Sequence, residues 1–313
     1  MSVFLSTINQ MAFLFLLIII GFVVAKLKAV PDNTTAVLSK LENNIFIPAL
    51  VLSTFVSNFT VEKISEAGSF LLVGLAVILI SMPVAVVISR IVTKDKYIQN
   101  IYTYGLAFAN FGFMGNAVVS ALFPDLFMGY LIYVLPFWFF IYLWGVPHLL
   151  IPHREKGGIL QNLKALVNPM FIAMLVGIII GISGIKLPSF FGTTFSSLGS
   201  CMSPVAMLLT GMTVAQIDIK KTLKTVSIYI VSLIRLIIIP LIALLVLYYL
   251  PLNYGLKLCT MCALSMPLGL NTIVVPAAYG KDTSVAAGMA LVSHLLSCAT
   301  IPVIFLLFQI WIG

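Results

Sequence analysis

Two short stretches of this chain concentrate the residue types that could handle a polar solute inside an apolar protein. One reads Phe108-Ala109-Asn110-Phe111-Gly112-Phe113-Met114-Gly115-Asn116, the other Ser265-Met266-Pro267-Leu268-Gly269-Leu270-Asn271-Thr272, with Pro276 following. Proline removes an amide donor and crowds the preceding helical turn, glycine tolerates unwinding, and an asparagine amide both donates and accepts. A helix opened at such a place exposes half-helix N-termini, each carrying roughly half a positive charge, which suits a carboxylate. The same residues have a plainer use, in which the glycines permit close packing and the asparagines hydrogen-bond between helices. The site reading gains weight because the two stretches fall at equivalent positions of an internal repeat. Pro267 aligns with Asn110, so a break in the first stretch depends on glycine and side-chain amides. The candidate substrate-binding residues are Asn110, Gly112, Asn116, Pro267, Gly269 and Asn271. Ser53 and Thr54 are candidate contacts from another span, unless their hydroxyls bond back within their own helix.

Ionisable groups are few. Arg235 lies deep in an apolar run, where an arginine costs about 2.5–3.5 kcal/mol and needs a partner. It either neutralises an anionic substrate or holds the carbonyls of a broken helix, and the second role is the favoured one. His294, the only deep histidine, is either a proton-linked group or a hydrogen-bonded packing residue. His148 and His153 read as surface residues. Cys259-x-x-Cys262 has no second pair or histidine at ligand spacing and reads as helix packing rather than a metal site. All nine acids fall in loops or near span ends, with Glu42 the closest approach to the membrane interior. A site of amides, hydroxyls and cations favours an anion. No resident cofactor is expected; coupling to H+ or Na+ and a uniport driven by the membrane potential both fit the sequence. Nothing resembles a P-loop, and no constellation suggests an enzyme.

The elements that must position these residues follow from composition. Of 313 residues, 61% are hydrophobic and 8% charged, with mean hydropathy +1.17. A soluble domain carries about a quarter charged residues, so the chain reads as an all-α polytopic membrane protein with the lipid bilayer as its environment. Its net charge of +8 sits in short loops, so it sets topology and does not signal a nucleic-acid partner. Ten spans are expected near 8–27, 39–58, 68–90, 100–123, 128–150, 166–186, 196–217, 225–250, 256–280 and 284–312. The first ends in Lys26 and Lys28 without a small-residue cleavage site and reads as a retained span. Thirteen Lys and Arg lie on one side, including Arg90, Arg154, Lys220 and Lys281, against Lys63, Lys186 and Lys257 on the other. The rich side is cytoplasmic by this count, with both termini outside the cell membrane.

The halves repeat. Gly21 and Gly177 differ by 156, Pro48 and Pro204 by 156, Pro83 and Pro240 by 157, Gly112 and Gly269 by 157. Five spans per copy is odd, so the second copy enters the membrane inverted, as in secondary carriers with a midplane site. The organisation expected is residues 1–150 as the first five-helix repeat, 151–165 as a cytoplasmic linker and 166–313 as the second, inverted repeat.

At these residues the chain resembles the auxin efflux carrier family, which joins plant PIN-type carriers to bacterial malate and malonate permeases. The resemblance rests on Ile47-Pro48-Ala49-Leu50, on Asn110 with Met114-Gly115, on Asn168-Pro169 and on Ser203 through Met207 with Gly211. Arg235-Leu236 with Pro240, and Met266-Pro267, complete it. The chain departs from the family at Asn116-Ala117, where proline often follows the Met-Gly pair, and at Ala109, where plant carriers have proline. The resemblance implies broken helices 4 and 9 that cross, as in sodium–proton antiporters and bile-acid symporters. It also implies a scaffold of spans 1, 2, 6 and 7, a transport unit of spans 3–5 and 8–10, and a homodimer. The expected function is alternating-access transport of a small organic anion, malate- or malonate-like. A larger hydrophobic anion such as an indole-type acid is the alternative, and a channel or membrane sensor a more distant one.

Overall fold

The computed structural model describes residues 2–60, 64–150, 169–185, 187–216, 224–278 and 281–313. The linker expected at 151–165 lies outside them, as do Lys63, His153, Arg154, Asn168, Lys186 and Lys220. Among the described residues the regular structure is helical, apart from one isolated antiparallel bridge. A backbone inside hydrocarbon must satisfy its own amides, and long apolar runs do so as helices.

The helices are α1 (Ser2–Lys26), α2 (Thr34–Leu41), α3 (Ile47–Asn58), α4 (Ile64–Val92), α5 (Lys96–Ala107) and α6 (Asn116–Leu122). Next come α7 (Phe127–Tyr133), α8 (Leu135–Phe140), α9 (Pro169–Ser183), α10 (Ser189–Ser200) and α11 (Met202–Ala215). The chain ends with α12 (Val226–Leu233), α13 (Ile239–Tyr249), α14 (Tyr254–Ser265), α15 (Asn271–Ala278) and α16 (Ser284–Trp311). Wider π-helical turns join α2 to α3 (Glu42–Phe46) and α12 to α13 (Ile234–Ile238), and another opens the run into α6 (Phe111–Gly115).

Among the described residues, six stretches are long and apolar enough to cross a membrane: Leu5–Lys26, Glu66–Val92, Pro124–Leu150, Ser189–Ala215, Val226–Tyr249 and Ser284–Trp311. Phe111–Leu122 and Pro169–Ser183 are shorter apolar helices. The helix expected at 196–217 starts earlier, at Ser189, and that expected at 39–58 starts at Thr34. Hydropathy alone misses such polar first turns, because they open on polar residues, Thr34 and Ser189.

Two of the π turns have the same cause. Proline cannot donate to the carbonyl four residues back, and its ring crowds that carbonyl. Before Pro48 the amide of Ile47 bonds five residues back to Glu42, and before Pro240 the amide of Ile239 bonds five back to Ile234. Each turn widens to make room for the ring, and each carries a buried ionisable side chain, Glu42 and Arg235.

Close helix pairs rest on glycine. α1 packs along α11 and α3 along α9. A Cβ on Gly21 would fall on the backbone of Leu208, and one on Gly211 would fall on the Ile18 carbonyl. In the other pair, a Cβ on Gly177 would lie 2.7 Å from the Phe55 Cβ and 3.2 Å from the Leu52 carbonyl oxygen. Small residues let helix backbones approach where the hydrophobic effect gives no drive to associate.

Candidate functional site

The two stretches singled out by residue type are the places where helices break. α5 ends at Ala107, and Phe108 (φ −116°, ψ 81°) turns the chain out of the helix. Asn110 (φ −76°, ψ 48°) caps the next segment, which begins at Phe111. α14 ends at Ser265, Met266 is extended (φ −70°, ψ 148°), and α15 begins at Asn271. The two gaps lie against each other. Ala109 and Leu268 form the antiparallel bridge, and the Asn110 amide donates to the Pro267 carbonyl at 2.8 Å. A Cβ on Gly269 would stand 2.7 Å from the Phe108 carbonyl oxygen, so this close pass requires glycine there.

Side chains hold the crossover. The Asn110 Oδ1 accepts from the Met114 amide at 3.4 Å, satisfying one of the free donors of a helix start. Asn110 Nδ2 donates to His294 Nε2 at 3.0 Å, and His294 Nδ1 lies 2.8 Å from the Ala290 carbonyl. A carbonyl only accepts, so Nδ1 carries the proton and Nε2 accepts, which is a neutral imidazole. The Leu268 amide donates to Ser293 Oγ at 3.2 Å, and Tyr130 donates to the Phe111 carbonyl at 3.1 Å. Asn271 Nδ2 donates to Tyr104 Oη at 3.0 Å. Asn110 and Asn116 are buried, whereas Asn271 is partly exposed. The Asn116 Oδ1 has no hydrogen-bond partner among the described residues.

Arg235 serves the opposite ends of the same helices. Its Nε donates to the Met266 carbonyl at 3.1 Å, one terminal nitrogen to Leu106 at 3.0 Å and the other to Ala263 at 2.9 Å. These carbonyls belong to the C-terminal ends of α5 and α14, which carry the negative end of the helix dipole. The guanidinium therefore neutralises both open C-termini, and the two N-terminal ends of the crossover remain electropositive.

The structure thus brings together Asn110, Pro267, Gly269 and His294, with Asn271 beside them through Tyr104 and Arg235 behind them. Gly112 packs beneath the Trp138 indole, which a Cβ would meet at 2.7 Å. Ser53 and Thr54 are grouped elsewhere. Both donate to the Leu50 carbonyl, at 3.1 and 2.7 Å, and both line a groove between α3 and α10. The element of α1–α3 and α9–α11 that packs on the turn Phe111–Gly115 is α11. Tyr104, Tyr130 and Ser293 were not singled out by sequence. Ser293 adjoins His294, which was a usable signal, but nothing in the chain order links Tyr104 to Asn271. The reading that acids stay out of the interior is corrected at Glu42, which is 0% exposed. The π turn before Pro48 rotates it inward.

Long apolar helices, two of them broken and crossed around polar side chains, define a multi-pass helical membrane protein. A family model described as membrane transport protein matches the chain twice, over residues 6–162 and 156–305. The chain belongs to that family, the auxin efflux carriers, and is a membrane transporter. No curated protein matches it significantly.

Proposed function

We propose that this transporter carries a small organic anion, malate- or malonate-like, across the cell membrane by alternating access. The anion would sit at the crossing of the two broken helices, near Asn110, Asn271 and the backbone around Gly112 and Gly269. The observation that carries this reading is the division of charge at the crossover. Arg235 occupies the helix C-termini, and the positive dipole ends at Phe111 and Asn271 meet no acidic side chain among the described residues, which suits a carboxylate.

Ten spans in two inverted repeats fit the same geometry. The close pass of Gly21 on Leu208 recurs at Gly177 on Leu52, both partners shifted by 156. The central contact of the crossover joins Asn110 to Pro267, which the repeat aligns with each other. A scaffold of α1–α3 and α9–α11 with the rest as the moving unit, a homodimer and outward-facing termini complete the proposal. The carbonyls best suited to a sodium ion already accept from Arg235, which favours proton coupling or a potential-driven uniport. An anion crossing the field gains about 2.3 kcal/mol per charge per 100 mV.

The test is radiolabelled malate uptake by purified protein in proteoliposomes, with malonate and indole-type acids as competitors. Asn110→Ala is expected to abolish uptake while the protein remains monodisperse. Wild-type uptake by that variant would sink the site, and competition by indole acids alone would replace the dicarboxylate with the larger substrate.

A further inference from the structure

Among the described residues, Glu42 is the one acid that the crossover chemistry leaves unused and that the fold nevertheless buries completely. It lies eight residues beyond Thr34 in the run that leads into α3, about 12 Å along the helix at 1.5 Å per residue. Its exposure is 0%, and neither carboxyl oxygen has a hydrogen-bond partner among the described residues. The backbone amide of Ala206 in α11 is its polar neighbour, without a hydrogen bond of normal geometry.

The elements packed on the turn Glu42–Phe46 are α2, α3, α9, α10 and α11. Of these, α3, α9, α10 and α11 contain no lysine, arginine, histidine, acid, cysteine or tyrosine. α2 contributes only Lys40, which is exposed, and Cys201 at the junction of α10 and α11 contributes a free thiol. No cation in these elements offsets a carboxylate here. A buried unpaired charge is expensive enough that the group takes up a proton instead. An ionisable side chain kept at such a place within a transporter marks an ion pathway or relay.

We infer that Glu42 is a proton-binding site, loaded as the neutral acid in this conformation, whose release of the proton is linked to the transport cycle. The proton leaves as the carboxylate forms, and that step needs water or a cation to reach the contact between the Glu42 turn and α11. Both belong to the proposed scaffold. α11 also packs on the turn Phe111–Gly115 of the moving unit, so displacement of that unit lets α11 loosen from the Glu42 turn and supplies the access. A neutral acid in the closed state and a carboxylate in the opened state then tie helix separation to the pH on the side that opens. This inference rests on the carrier reading for its linkage, but not for the protonation itself.

Two measurements separate the parts. The first is the infrared carbonyl stretch of a protonated carboxyl, recorded on purified protein in lipid nanodiscs at neutral pH. The band is expected in the wild type and absent from Glu42→Gln. An unchanged spectrum in that variant overturns the inference. Gln matches the neutral acid in size, and Glu42→Leu serves as a second variant should the first prove polydisperse. The second is malate uptake into proteoliposomes under an imposed pH difference with no voltage. One proton per cycle gives up to about tenfold accumulation per pH unit. Glu42→Gln should lose that accumulation and keep counterflow at equal pH. Full pH-driven accumulation in the variant overturns the linkage. Wild-type protein that moves no malate, while still showing the band, places the failure in the substrate reading.

Discussion

The π turn before Pro48 and the π turn before Pro240 are the same local device with opposite outcomes. Both arise where a proline forces the preceding residue to bond five back, and both point an ionisable side chain into the protein. At Arg235 three carbonyls wait, supplied by α5 and α14 where those helices stop. At Glu42 no charged or hydrogen-bonding partner stands among the described residues. The lesson is that local geometry decides whether a charge is turned inward, while the surrounding helices decide whether it stays charged. Arg235 completes a structure, and Glu42 is left able to change state.

The largest effect that would break this comparison lies at Arg235. Arg235→Met should cost at least about 3 kcal/mol, because hydrogen bonds to a charged donor contribute about 1.5–3 kcal/mol each and three carbonyls lose theirs. Arg235→Lys should recover only part of this, since one ammonium cannot span three acceptors as the guanidinium fork does. Reversible unfolding in mixed micelles measures both, and an Arg235→Met protein as stable as wild type would remove the capping role. Next in size, and of opposite sign, is Glu42→Leu. Replacing an unpartnered buried acid by an apolar residue of similar size should be neutral or stabilise by about 1 kcal/mol. A loss of about 3 kcal/mol in the same assay would mean that Glu42 has a partner after all. The smallest effects should come from Ser53→Ala and Thr54→Ala, on the same run as Glu42. Their hydroxyls bond the Leu50 carbonyl of their own helix, so each should shift stability by no more than about 0.5 kcal/mol.

The membrane class and the location of the two breaks were legible in the chain. Long apolar runs have one way to satisfy their backbone in lipid, and proline, glycine and asparagine mark where that way fails. Asn110, Pro267 and Gly269 were found for this reason, and the predicted meeting of their two stretches is observed as a hydrogen-bonded crossing. Arg235 was equally readable as a residue in need of partners, because an arginine in an apolar run has few alternatives.

Tertiary structure alone decided the partners. Leu106, Ala263 and Met266 offer backbone carbonyls, which leave no trace in side-chain identity, so sequence could not say which of them Arg235 would meet. Tyr104 with Asn271 and His294 with Asn110 join residues 167 and 184 positions apart. Glu42 looked like an interfacial acid by its distance from the end of the apolar run. Its burial depends on a widened turn and on four neighbouring helices without a cation, and charge state in a membrane is set by such neighbours rather than by position along the chain.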